Sequence, residues 1–177
     1  KNKLGSQKLE MQDWKFLRLR PAGFPTIRLA QFAHFLSTQF NLVSTLTSFQ
    51  KRSEIEIFFA LKQSEYWTLH FQFGKLAKAT VPFMGIQAAH LLAINVCVPL
   101  MVAIAKERNQ ITLMENALAL LLDIPSEKNH ITRDWAYLGM KVGSASDSQA
   151  LLEWYNQYCT FKRCLECTVG ASIIKAS

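Results

Sequence analysis

From Gln87 to Ala105 the chain runs through 19 residues without a single Lys, Arg, Asp or Glu. A run of that length approaches a membrane span. His90, Asn95 and Pro99 interrupt it, however, and the core helix of a globular domain can be apolar on every side. The run is therefore expected to form a buried central helix of a cytoplasmic domain, with no membrane as partner. Pro99 predicts a kink within it, because the ring clashes with the carbonyl of Asn95 and one backbone hydrogen bond is lost.

The remaining segments carry helical rather than alternating periodicity. After Pro25, with Thr26 as expected cap, Leu29, Phe32, Ala33, Leu36 and Phe40 recur at helical spacing and are expected to face the core, with Arg28 and Gln31 on the other side. Leu42, Val43, Leu46 and Phe49 suggest a short second helix ending at Lys51 and Arg52. Ser53 with Glu56, Thr112 with Glu115, and Ser146 with Gln149 each have the form of a capping box. Ser64 is expected to open a turn carrying Tyr66 and Trp67, and Gly74, Pro82 and Gly85 mark a boundary. Ile131, Trp135 and Leu138 imply another helix, and Leu151, Trp154, Tyr155 and Tyr158 the inner stripe of a last one. Few segments alternate long enough for a sheet. The expected fold is all-α, an irregular multi-helix bundle over residues 25–177 behind a basic arm over residues 1–24.

The net charge of +7 is concentrated at the front: residues 1–28 hold seven Lys or Arg against Glu10 and Asp13. Lys1–Glu10 reads as a linker and Trp14–Arg20 as a strand-like arm ended by Pro21, Gly23 and Pro25. A first residue other than Met, with no leader pattern behind it, reads as a domain cut from a larger protein. Arg18, Arg20 and Arg28 lie close in sequence to Trp14, Phe16 and Phe24, an interleaving of cations and aromatics suited to a nucleic-acid backbone. An arm docked on the body explains the same residues. Arg28 stands out, since a cation near a helix start is not favoured by the helix dipole.

Cys159, Cys164 and Cys167 form a C-x4-C-x2-C cluster, three soft ligands suited to zinc or an iron–sulfur cluster. Lys162 and Arg163 beside them would favour the thiolate form. The fourth ligand must come from afar, from His90, Cys97 or His130. Packing as three small hydrophobes is the competing reading. Catalysis is harder to place. No H-E-x-x-H, G-x-S-x-G or phosphate-cradling Gly loop is present, and Glu54 and Glu56 fit the first turn of a helix better than an acid–base pair. A small-molecule site would need His34, His70 or His90 to meet a carboxylate in a deep pocket. A complete active site is not expected in this chain.

The stretches Arg18-Leu-Arg-Pro, Phe24-Pro-Thr-Ile-Arg-Leu-Ala-Gln31, Tyr66-Trp67 with His70, Phe73 and Gly74, Ser148-Gln-Ala-Leu, and Tyr158-Cys159 with Cys164-Leu165 and Cys167 together resemble the C-terminal part of an uncharacterised bacterial family known only as a domain of unknown function. The resemblance spans nearly the whole chain. Full-length members resemble PD-(D/E)xK nucleases in their N-terminal part, which implies a helical accessory domain beside a nuclease core. Its implied partners are the N-terminal domain of the same protein and DNA, and its function class is DNA-associated. The alternative is a non-enzymatic scaffold that contacts other protein segments. The cluster also partly resembles the iron–sulfur loops of helical DNA glycosylases, which supply four cysteines where this chain has three nearby.

Overall fold

The computed structural model describes residues 11–20 and 23–175, so the linker expected over Lys1–Glu10 lies outside the described residues. A 3-10 turn at Met11–Asp13 is followed by α1 (Pro25–Thr38), α2 (Leu42–Leu46), α3 (Arg52–Phe58) and α4 (Glu65–Thr68). A two-stranded hairpin of β1 (His70–Gln72) and β2 (Lys75–Leu76) comes next, then α5 (Ile86–Leu92), a π turn at Ala93–Cys97 and α6 (Val98–Glu107). The chain closes with α7 (Ile111–Asp123), α8 (His130–Tyr137), α9 (Ala145–Trp154), a second π turn at Tyr155–Cys159 and α10 (Thr168–Lys175). The architecture is all-α with one small hairpin that the sequence reading did not foresee.

Two compact units share the chain. Unit 1 takes the residues up to Leu42 and Glu56–Ala89; unit 2 takes Val43–Ile55 and the residues from His90 onward. The described residues of the arm expected over residues 1–24 fall within unit 1.

In unit 1, α1 buries the face opposite to the one expected. Ile27, Gln31 and Phe35 are buried with Thr26, while Leu29, Phe32, Leu36 and Phe40 are about half to four-fifths exposed. Both faces of this helix carry apolar residues, so hydrophobic count does not choose between them. Specific polar contacts side with the Gln31 face: Thr26 donates Oγ1 to the Phe71 carbonyl at 2.6 Å instead of capping the helix, and Gln31 bonds to Gln63. Pro25 occupies the first turn, where its missing N–H costs nothing. Phe35 meets Phe58 and Phe59 at ring separations of 5.4 and 6.1 Å.

The hairpin is organised by Tyr66. Its ring stacks on His70 at 3.9 Å, and its hydroxyl accepts the Gly74 N–H at 2.9 Å. Gly74 has φ +66°, the left-handed backbone that this turn requires and that glycine adopts without strain. Trp14–Arg20 is irregular rather than a strand, with a turn at Leu17–Arg18 and Arg18 at φ +64°.

The apolar run is helical as expected, with Ile86–Ala89 counted in unit 1 and the rest in unit 2. From Ile86 to Glu107 it is long and apolar enough to cross a membrane by length and composition, yet Ala93, Ile94, Cys97, Val98, Met101 and Ala105 are buried within the protein. A π turn stands where the proline disturbance was expected: Val98 N–H reaches the Ala93 carbonyl, and Pro99 follows directly. Helix α6 packs on α7, which meets α9, which in turn meets α8. The caps differ from those read in the sequence. Gln110 precedes α7 with Thr112 already inside it, and Ser144 with Asp147 caps α9, two residues ahead of the expected pair. Asn129 and Thr132 form a reciprocal cap on α8. Ser53 lies inside α3, whose first turn is held instead by Glu54 accepting the Gln50 N–H at 2.8 Å.

Candidate nucleic-acid interface

Charge divides with the units. The residues up to Leu42 with Glu56–Ala89 hold ten Lys or Arg against four Asp or Glu, and the rest of the chain holds ten against nine. Nearly all the excess positive charge therefore belongs to unit 1. A locally basic unit raises the concentration of polyanions at its surface and speeds their association.

The arm is fastened to this unit by its aromatic residues. Phe16 meets Phe24 edge-on at 4.8 Å, and Trp14 meets Phe73 at 6.3 Å. Both rings of the arm are half-buried, while Lys15, Arg18 and Arg20 between and beyond them are exposed. Among the described residues no carboxylate pairs with Arg18 or Arg20. Both are exposed, close in sequence to rings that are docked.

Arg28 is different. It is half-buried and donates Nη1 to Gln31 Oε1 at 3.1 Å. Gln31 Nε2 donates onward to Gln63 Oε1 at 3.3 Å, and Gln63 Nε2 to the Val81 carbonyl at 3.0 Å. One of the five guanidinium donors of Arg28 is thus engaged internally, leaving others for an external oxygen. All three sequence-selected arginines lie in unit 1.

The residues that carried the family resemblance in this region also converge. Phe24 packs its ring against Phe71 at 6.2 Å, Trp67 packs against Phe73 at 4.9 Å, and Tyr66, His70 and Gly74 build the hairpin turn. A model of the family described as protein of unknown function (DUF2851) matches residues 1–130. The chain belongs to the DUF2851 family. No curated protein and no solved structure matches it. The match to DUF2851 takes in Arg18, Arg20, Arg28 and the whole hairpin but stops short of the cysteine cluster, so it covers less of the chain than the residue resemblance suggested.

In DUF2851 chain unit 2, the three clustered cysteines are not drawn together as ligands. Cys159 and Cys164 are exposed and Cys167 is buried, and among the described residues no three His, Cys, Asp or Glu side chains gather in a way that would hold a metal ion. The Cys167 sulfur is already an acceptor, taking the Trp154 Nε1–H at 3.1 Å. Its thiol is held below the usual range by the Gly170 N–H, the Trp154 indole and the Val169 N–H at the start of α10. The basic neighbours are not the cause: Arg163 is paired with Glu166, its Nε donating to the carboxylate at 3.0 Å. The donor set as placed does not fit zinc or an iron–sulfur cluster. Cys97, a suggested fourth ligand, is fully buried at the end of the π turn before α6, and burial pushes its thiol up to about 11. His130 lies edge-on to Tyr155 at 6.1 Å.

Sequence reasoning missed Phe71, Lys75 and Lys78. With Phe24, Gln72 and Leu76 they line a cleft of about 420 Å³ beside the hairpin. The signal was weak, because Lys75 and Lys78 look like ordinary surface until the hairpin sets them beside Phe24.

Proposed function

We propose that the chain is a helical accessory domain of a bacterial, cytoplasmic DNA-processing protein whose nuclease-like core of the PD-(D/E)xK type lies in another part of that protein. Arg18, Arg20 and Arg28 contact nucleic-acid phosphate and so help position substrate. The single observation that carries the reading is the pair of exposed arginines, Arg18 and Arg20, without an acidic partner among the described residues and following closely on Phe16, which is anchored on Phe24. Anchored aromatics fix the arm, and the cations it presents release counterions when they meet phosphate.

The test is fluorescence anisotropy of the chain with labelled DNA over a range of salt concentrations. Binding is expected to weaken steeply with salt. Arg18→Asn with Arg20→Gln is expected to lower the slope of log K against log salt by about 1.4 to 1.8, from roughly 0.7 to 0.9 per phosphate contact. Asn is chosen at position 18 because it tolerates the left-handed backbone there. Absence of salt-sensitive affinity for both single- and double-stranded DNA overturns the reading.

A second reading, a protein-interaction scaffold, is favoured by the outer face of α1, where Leu29, Phe32 and Leu36 form an exposed apolar row. It is separated from the first by Phe32→Ser with Leu36→Ser. A scaffold loses affinity for the remainder of its own protein, measured by calorimetry in trans, while DNA binding is unchanged. A metal held by Cys159, Cys164 and Cys167 enters this proposal only with a rearranged loop, and metal analysis of protein purified without oxygen decides it.

A further inference from the structure

The cleft beside the hairpin combines two kinds of surface. Phe24, Phe71 and Leu76 give it an apolar wall, the exposed Lys75 and Lys78 stand on its rim, and Gln72 also lines it. Its volume of about 420 Å³ falls in the range of small-ligand sites. Among the described residues neither lysine meets a carboxylate, so both are free to bind an anion. The cleft also adjoins the arm, since Phe24 is at once a wall of the cleft and the ring on which Phe16 docks.

We infer that this cleft seats an unpaired base of a single-stranded nucleic acid, with Lys75 and Lys78 on the phosphates that flank it. The inference rests on the phosphate-binding reading of the arm and adds what that reading leaves open, the strandedness of the ligand. In a duplex the base faces are stacked on one another and only edges reach a protein, whereas an unpaired base offers a face that apolar and aromatic walls can cover. A pocket with an apolar wall and a cationic rim matches a base joined to phosphate. It does not match the continuous phosphate ridge of a duplex, which would gain nothing from Phe71 or Leu76. A strand leaving the cleft on the Phe24 side passes toward Phe16 and the exposed Arg18 and Arg20.

The experiment compares a fluorescein-labelled oligothymidylate of about 20 nucleotides with a duplex of the same length, both bound to the chain at fixed salt. A preference for the single strand of about fivefold or more is expected. Lys75→Gln with Lys78→Gln should weaken the single-strand complex and reduce its salt slope by about 1.4, at roughly 0.7 per phosphate. Both residues are exposed, so these variants keep the fold. Photocrosslinking of an oligonucleotide carrying 5-iodouracil is expected to label Phe24 or the segment from residue 71 to 79. Equal affinity for duplex and single strand, or crosslinks confined to other segments, overturns the inference while leaving phosphate binding by the arm intact. Failure to bind either nucleic acid at low salt overturns both.

Discussion

Gln31 Nε2 donates to Gln63 Oε1 at 3.3 Å inside unit 1, and both side chains are almost completely buried. The same pair receives Arg28 at one end and delivers to the Val81 carbonyl at the other. The position of a surface cation is therefore set by a hydrogen-bonded chain that reaches through the core. Each amide satisfies its neighbour, which is why a face with two glutamines can be the inner one.

Replacing Gln63 by Leu removes the acceptor for Gln31 and the donor for Val81 while adding little volume. Leaving such groups unpartnered is expected to cost about 1–3 kcal/mol. Changing Gln31 and Gln63 together to Leu is expected to cost less than the two single changes added, because the pair then vanishes as a unit. Urea unfolding followed by circular dichroism measures all three variants. Additive losses would mean that the two amides do not depend on one another.

Gly170 is held by a steric rather than a polar constraint. A Cβ at this position would lie 2.5 Å from the Cys164 carbonyl oxygen and 3.0 Å from its Cα, and these are backbone atoms that cannot swing aside. Gly170→Ala is expected to loosen the contact between α10 and the preceding loop, at a cost of about 1–3 kcal/mol as an overpacking change. Hydrogen exchange should quicken in residues 164–175 and stay unchanged in α6 and α7. Gly143→Ala is the control, since its nearest neighbour, Asp147 Oδ2, is 3.9 Å from the added atom.

The helical class and the long apolar helix were legible, because they depend on periodicity over many residues. What was not legible depends on partners distant in sequence. The inner face of α1 is decided by Gln63 and Phe71, 32 and 45 positions away from Gln31 and Thr26. The hairpin depends on Tyr66 capping the turn at Gly74 through its hydroxyl, which no alternation over three residues could reveal. Among the candidate residues, Arg18 and Arg20 were identifiable from charge alone. The cleft was not, since Phe24 and Lys75 meet only through the fold. The cysteine spacing was genuine as a pattern, yet α10, which the sequence reading did not place, draws Cys167 to Trp154.

Asp147 links the start of α9 to pH. Its carboxylate accepts from the Ser144 N–H, the Ser144 hydroxyl and the Gly143 N–H, and these bonds hold it below the usual carboxylate range. A group with a lowered folded-state pKa stabilises the fold above its unfolded value, about 3.9 for Asp, and that stabilisation is lost as the pH falls toward and through the folded value. Acid unfolding of unit 2 is expected to weaken the junction of Ile124–Ser126 with Gly143–Ala145 early, since the α9 cap is part of it. Asp147→Asn should flatten the fall in stability as the pH drops below about 5. Ser144→Ala should cost about 1 kcal/mol at neutral pH as a lost cap. An unchanged acid profile in Asp147→Asn would show that the carboxylate contributes nothing to the linkage.

The four thiols are expected to separate by burial and environment. Cys97 is fully buried with its thiol pushed up to about 11, so at neutral pH about one molecule in ten thousand carries the thiolate, and iodoacetamide should reach it only on unfolding. Cys159 and Cys164 are exposed and should be labelled first. Cys167 combines a lowered pKa with burial, so its labelling should follow the opening of α10 rather than the pH of the reagent. Gly170→Ala should therefore speed labelling at Cys167 with little effect at Cys97, and Trp154→Phe should raise the Cys167 pKa by removing an N–H donor. Tandem mass spectrometry of tryptic peptides over a time course resolves each site, with fragmentation separating Cys164 from Cys167, which share one peptide. Joint protection of Cys159, Cys164 and Cys167 that a chelator abolishes would replace this account with a metal held by all three.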